Sequence, residues 1–279
     1  MVNRLVDVDD PLNILYYGDG GTGKTTHLCH MADRGKVVVV NAESGVKRRA
    51  LERCGVDVAN IEIWPAQGEK ITYAGLEAEW LRIREALNKD ATAYVGHVWD
   101  SITEIYKILL DDIIDENAAS VARSGKARDP RQDYGVMTDQ VRKLVRKCRD
   151  LPCHFGASAL TRRDVDDDGA VVYRPAITPA LQTDLYGWFD LVCYTTLVVV
   201  EEDGEEAEQY RGLFKPAGKF RGKDRFKIMP KALVDPTFDR VLSYVEEELD
   251  ADNDPIMQRA RKIALAAKTQ EANTDAATE

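Results

Sequence analysis

Short, wholly apolar runs alternate with stretches of helical period over most of the chain, a pattern that predicts a parallel sheet with helices on its faces. Residues 12–17 and 37–40 are apolar, as strands buried on both sides require, and 24–33 between them is long enough for a crossover helix. Leu76, Trp80, Ile83 and Leu87 fall at steps of three and four, which predicts an amphipathic helix over 74–88. A strand at 94–99 and a helix over 102–114 follow. Residues 115–133 turn small, polar and basic, with Gly125 and Pro130 as breakers, and read as a mobile loop. Over 134–149, Met137, Val141, Leu144, Val145 and Cys148 share one helical face. Next come a strand at 153–160 and a hairpin, 163–165 with 171–173, about the Asp-rich turn 166–169. Later strands are expected at 191–200, 209–215 and 225–229, the first two joined by the acidic turn 201–206. Beyond Pro236 lie an amphipathic helix (Phe238, Val241, Leu242, Val245, Leu249) and a small helix at 256–268. The division is therefore a core over 1–235 and a helical, acidic tail over 236–279.

Composition narrows the class. With 279 residues and 44% apolar content the chain suits one large domain or a domain with an appendage. Its 48 acids against 38 bases give a net charge of −10, which argues against a protein that grips nucleic acid over its whole face. Five scattered cysteines lack zinc-site pairing and read as reduced thiols. The first ten residues carry Asp7, Asp9 and Asp10 without an apolar core, and no run approaches the ~18 apolar residues of a spanning helix. The expectation is a cytoplasmic protein without a membrane partner.

Gly18, Asp19, Gly20, Gly21, Thr22, Gly23, Lys24 and Thr25, followed by Thr26, satisfy GxxxxGK[ST] between a predicted strand and a predicted helix. Such glycines let backbone amides turn inward around phosphates, and the helix N-terminus adds a favourable dipole. Lys24 is expected to neutralise the β and γ oxygens of ATP, and the Thr25 hydroxyl to ligate Mg2+. A second metal acid belongs at the end of another strand, where Asp100 closes the run from Val95 and is favoured for that role because the glycine loop demands one; the alternative is that Asp100 or Ser101 caps the helix that follows. Ser101 leaves no carboxylate beside Asp100, so Glu43, at the end of the strand from Val37, is the candidate for activating water. His97 reads as a core histidine, and His27 with His30 as an ordinary helix surface.

Four segments, GDGGTGKTT at 18–26, NAESG at 41–45, WDS at 99–101 and KDRF at 223–226, together resemble the RecA-type branch of P-loop ATPases, and within it the small RecA-like single-strand annealing proteins of bacteriophages, relatives of RecA and RadA. The resemblance spans about residues 12–230. It implies an α/β, RecA-like P-loop NTPase core with a mostly parallel central sheet flanked by helices, and a Mg2+- and ATP-dependent ATPase stimulated by DNA. NAE looks like the DAE segment bearing the catalytic Glu, here Glu43, and WDS like the VDS magnesium site, here Asp100. KDRF is similar to the KNRFG motif whose Lys and Arg reach nucleotide bound by a neighbouring subunit, here Lys223 and Arg225. Asn41 and Lys227 depart from those patterns. Assembly as a homo-oligomer, ring or filament, is implied, in the host cytoplasm if the protein is phage-encoded.

RecA-like proteins present DNA-binding loops after the magnesium strand and after the next strand. The first maps onto 115–133, whose Arg123, Lys126, Arg128 and Arg131 are the candidate contacts to single-stranded DNA. From 121 to 149 there are nine bases against three acids, a local excess that suits a groove tracking phosphates. Tyr134 is the only aromatic there, so stacking is expected to add less than charge. The second loop, 162–178, carries Arg162, Arg163 and Arg174 with four acids, and Ser158 or Thr161 is a candidate γ-phosphate sensor. The function expected is annealing or strand pairing on single-stranded DNA, with a single-strand-binding protein as a further candidate partner. Two other readings stand beside it: an ATP-switched adaptor such as a helicase loader or assembly factor, and a small-molecule P-loop kinase using the 163–174 hairpin as its lid.

Overall fold

The computed structural model describes residues 11–124, 129–166, 168–202 and 205–253. Contacts divide the chain into two compact units, Met1–Asp239 and Arg240–Glu279. The expected helix at 256–268 lies outside the described residues.

Six strands form the parallel centre of the first unit: β1 (Asn13–Gly18), β2 (Val37–Asn41), β3 (Ile61–Trp64), β4 (Gly96–Asp100), β5 (His154–Val165) and β7 (Leu191–Glu202), in the order β7-β1-β5-β4-β2-β3. Four antiparallel strands complete the sheet. β6 (Val171–Pro175) pairs with β5, β8 (Glu205–Leu213) and β9 (Lys223–Asp224) with β7, and β10 (Leu233–Val234) with β8. The apolar runs behave as buried central strands: all of β1 is buried, and Val37 to Val39 are fully shielded. The result is a mixed α/β core with a mostly parallel sheet flanked by helices. Among the described residues, no helix is long and apolar enough to cross a membrane.

The helices follow their apolar stripes. After α1 (Lys24–Cys29) and the short α2 (Arg48–Arg53), α3 (Tyr73–Lys89) buries Leu76, Ile83 and Leu87 and is capped by Thr72, whose hydroxyl accepts the Gly75 N–H at 3.1 Å. Two further helices correct the expected loop at 115–133. α4 (Ile102–Ser124) continues through Glu116, Ala118 and Ala119, residues of good helix propensity, and α5 (Pro130–Arg149) starts with Pro130 in its first turn and Asp129 as its cap. The predicted face of α5 is buried as expected, Met137, Val141, Leu144 and Val145 all at 0% exposure.

Past the β5–β6 hairpin, found where the sequence predicts it, lies α6 (Pro179–Trp188). The expected strand at 225–229 does not form. The Asp224 carboxylate instead accepts N–H groups from Lys227 (2.8 Å) and Met229 (2.9 Å), winding the chain around itself, and Lys227 takes a φ of 65°. The acidic turn also tightens, since β7 and β8 pair up to Glu202↔Glu205. α7 (Phe238–Asn253) runs across the boundary between the units.

Candidate functional site

The glycine loop leaves β1 at Gly18 and enters α1 at Lys24, with Gly21 (φ 78°) and Gly23 (φ 79°) in conformations that side chains resist. A Cβ on Gly18 would stand 2.3 Å from the Thr195 carbonyl, and one on Gly23 2.7 Å from His27 Nε2, whereas Gly20 and Gly21 open onto free space. The loop is thus held tightly at its ends and clear at its crown, the shape of a phosphate cradle. Thr22 Oγ1 bonds Thr195 Oγ1 on β7 at 2.9 Å. The Lys24 ammonium is nearly buried and donates to the carbonyls of Gly18 (3.1 Å) and Asp19 (2.6 Å). Burial lowers its pKa, and the charges of Glu43, Asp100 and Asp19 oppose that. Thr26 follows in α1.

Asp100 closes β4 and is 1% exposed. Thr25 Oγ1, in the first turn of α1, donates to both its carboxylate oxygens, at 2.9 and 3.0 Å, although β5 lies between β4 and β1, the strand that leads to α1. Ser158 on β5 donates to Oδ1 at 2.6 Å. Desolvation raises the Asp100 pKa, resisted by the Ser158 and Thr25 hydrogen bonds. A hydroxyl and a carboxylate are the hard oxygen donors Mg2+ prefers, and it commonly takes only one or two protein ligands beside phosphate, so Thr25 and Asp100 fit that ion. Capping falls to Ser101, whose Oγ accepts the Glu104 N–H at 3.2 Å, leaving Asp100 free of that duty. Among the described residues, no cluster of three His, Cys, Asp or Glu forms a further metal site.

β2 neighbours β4 with Asn41 opposite Asp100, and the N–H groups of Ala42 (2.8 Å) and Glu43 (3.1 Å) donate to the Asp100 carbonyl. Exposed Glu43 therefore stands beside Asp100, and the Ser101 hydroxyl donates to its carboxylate. Lys24, Thr25, Asp100 and Glu43 converge at the C-terminal ends of three strands.

Lys223 and Arg225 lie elsewhere. Lys223 pairs with Val192 at the start of β7, and Val192 lies beside Leu15 of β1, three residues before Gly18. Its ammonium donates to the carbonyls of Tyr186 (2.5 Å) and Phe189 (2.7 Å), and burial lowers its pKa. Arg225 bonds the Gly187 carbonyl (2.8 Å) and Asp190 (2.9 Å). One chain thus does not bring this pair to its own glycine loop.

Of the candidate DNA contacts, Arg131 is exposed, while Lys126 and Arg128 lie outside the described residues, as does the side chain of Arg123. The basic face of α5 is largely spent within the chain. Arg142 pairs with Asp184 (2.6 Å), Lys147 with Glu77 (2.6 Å) and Arg149 with Asp150 (2.7 Å), and Arg146 lies over Trp188 at 5.3 Å. A groove of about 950 Å³ opens between α4, α5 and the start of α6. Tyr106 and Tyr134 both line it, with Lys107, Arg142 and Arg162 and the acids Asp111 and Asp139, so a second aromatic joins the one visible in the local sequence.

Sequence reasoning missed Thr195, which carries no motif and reaches the loop only through the β1–β7 pairing, and the dual part of Ser101. Of the two candidate γ-phosphate sensors, Ser158 bonds Asp100 through its hydroxyl. Thr161 Oγ1 is buried without a partner. His97 is buried, stacks on Phe155 at 4.6 Å and meets Cys153 Sγ at 3.8 Å. His27 is not on the helix surface as expected: it is 4% exposed and packs edge-on to Tyr16 and Tyr210, with neither ring nitrogen bonded.

A family model described as an AAA domain matches residues 10–226. No curated protein matches the chain.

Proposed function

The chain belongs to the AAA domain family and is a P-loop, nucleotide-binding ATPase domain; from that premise we propose that it hydrolyses ATP with Mg2+ while bound to single-stranded DNA, and that it acts in recombination by annealing or pairing strands. The observation that carries the ATPase reading is the convergence of Lys24, Thr25, Asp100 and Glu43. The inward amides of 18–25 bind the phosphates and Lys24 offsets their charge. Thr25 and Asp100 hold Mg2+, which when bound neutralises charge on the phosphate oxygens. Glu43 orients a water and accepts its proton.

The DNA half is supported by exposed Arg131 and by the groove lined by Tyr106 and Tyr134, whose rings offer faces on which bases stack. Oligomerisation into a ring or filament is supported by the separation of Lys223 and Arg225 from the glycine loop. In a head-to-tail stack, the end of the sheet bearing these cations is the one a following copy would turn toward the nucleotide of the copy before it.

The test is ATP turnover with and without an oligothymidylate, with Lys24→Ala as control. Turnover lost in Lys24→Ala and stimulated by DNA is expected. Unstimulated turnover removes the DNA half, and turnover that survives in Lys24→Ala removes the site. Mixing Glu43→Gln with Lys223→Ala subunits should restore part of the activity if the site is shared, whereas strictly additive loss would exclude sharing.

A further inference from the structure

Glu43 sits on a turn fastened three times to Asp100, the last residue of β4, and to Ser101 after it. Two fastenings are the N–H groups of Ala42 and Glu43 on the Asp100 carbonyl, and the third is the Ser101 hydroxyl on the Glu43 carboxylate. The same Ser101 Oγ accepts the Glu104 N–H in the first turn of α4. A serine hydroxyl has one proton and two lone pairs, so donating to Glu43 and accepting from the helix are compatible, and one side chain performs both. Ser101 is 1% exposed, which keeps water from competing for that proton. Glu43 is exposed, and a long side chain in solvent samples many rotamers unless something holds it. A carboxylate that takes a proton from an attacking water must be held close to one orientation, because small misplacements cost orders of magnitude in rate.

We propose that Ser101 is a positioning residue for Glu43: its hydroxyl fixes the direction of the carboxylate toward the Thr25 and Asp100 site. This rests on the ATPase reading above and assigns its missing restraint to the residue that follows the metal acid. The hydroxyl stays outside the reacting atoms and acts through Glu43 alone.

The experiment uses the full chain and measures ATP hydrolysis without DNA, so that it is independent of the DNA half of the reading. The variants are Ser101→Ala, Ser101→Gly, Ser101→Thr, Glu43→Gln and the double variant Glu43→Gln with Ser101→Ala. Glycine is nearly as good a helix cap as serine, so Ser101→Gly removes the hydroxyl while sparing α4, and a melting curve checks each variant. The expected result is a fall in kcat of about tenfold for Ser101→Ala and Ser101→Gly, with KM for ATP unchanged within about twofold. Ser101→Thr restores most of the rate, and Ser101→Ala costs nothing more once Glu43→Gln is present. If Ser101 only caps the helix, Ser101→Gly turns over like the wild type, or the loss persists in the Glu43→Gln background; either overturns the proposal and leaves the ATPase reading standing. A wild-type chain without turnover overturns both.

Discussion

Asp100 illustrates how one side chain is specified by partners that the sequence does not announce. Its carboxylate is buried, and three hydroxyl contacts from Thr25 and Ser158 hold its oxygens. Groups that orient a metal ligand usually matter tenfold to a hundredfold in metal affinity, so Ser158→Ala should raise the Mg2+ concentration for half-maximal turnover by about tenfold. A Mg2+ titration unmoved by the substitution would show that Thr25 suffices. The buried histidines make a second prediction. Burial lowers the pKa of His27 to about 4, of His97 to about 3 and of His154 to about 4. Each stays neutral in the folded chain while the unfolded chain takes up protons below pH ~6.5, so stability falls as pH drops from ~6.5 toward 4. Each contributes up to about 1.4 kcal/mol per pH unit. Asp100 and Asp112, with raised pKa values, work in the opposite sense, but two groups oppose three. Urea midpoints at pH 7 and pH 5 should show the fall, and His97→Phe, which keeps a ring against Phe155, should reduce it.

At the scale of elements, the close approach of β1 and β7 at Gly18 is the most exacting contact. Gly18→Ala should destabilise the chain by about 1–3 kcal/mol and weaken ATP binding, because the added carbon collides with backbone rather than a movable side chain. A melting temperature at the wild-type value would refute that. The paired cations of α5 predict the reverse: Lys147→Ala loses a half-exposed contact to Glu77, so stability should change by less than about 1 kcal/mol and DNA affinity by less than twofold. These contrasts also mark what was legible beforehand. β1, β2 and β4 announce themselves as apolar runs, β1 ending in Gly18, β4 in Asp100 and β2 leading to Glu43 two residues past its end, and α5 by its stripe. α2 and β3 were missed, at six and four residues too short to show a period. The length of α4 was missed because a small, polar surface helix looks like a loop when its buried neighbours are unknown. Which strand lies beside β1, and hence Thr195, depends on sheet order, a non-local property. The partners of Arg142 and Lys147 are non-local in the same way, and so the α5 cations seemed more available than they are.

At the scale of the whole molecule, charge is segregated. Four candidate bases, Arg123, Lys126, Arg128 and Arg131, belong to a chain of net −10. If all four meet phosphate, the logarithm of single-strand affinity should fall against the logarithm of salt with a slope of about −3. A slope near zero would remove those contacts. The opposite sign of charge collects on the β7–β8 hairpin, which runs past Tyr194, the last residue of β7 paired with β1. There Glu201 stands directly across from Glu206, with exposed Glu208 nearby. Like charges so placed repel, and dissolved ions relieve them. Amide exchange in this arm should therefore slow on adding sodium chloride while DNA lets go, so a single titration would register two responses of opposite sense from one polypeptide.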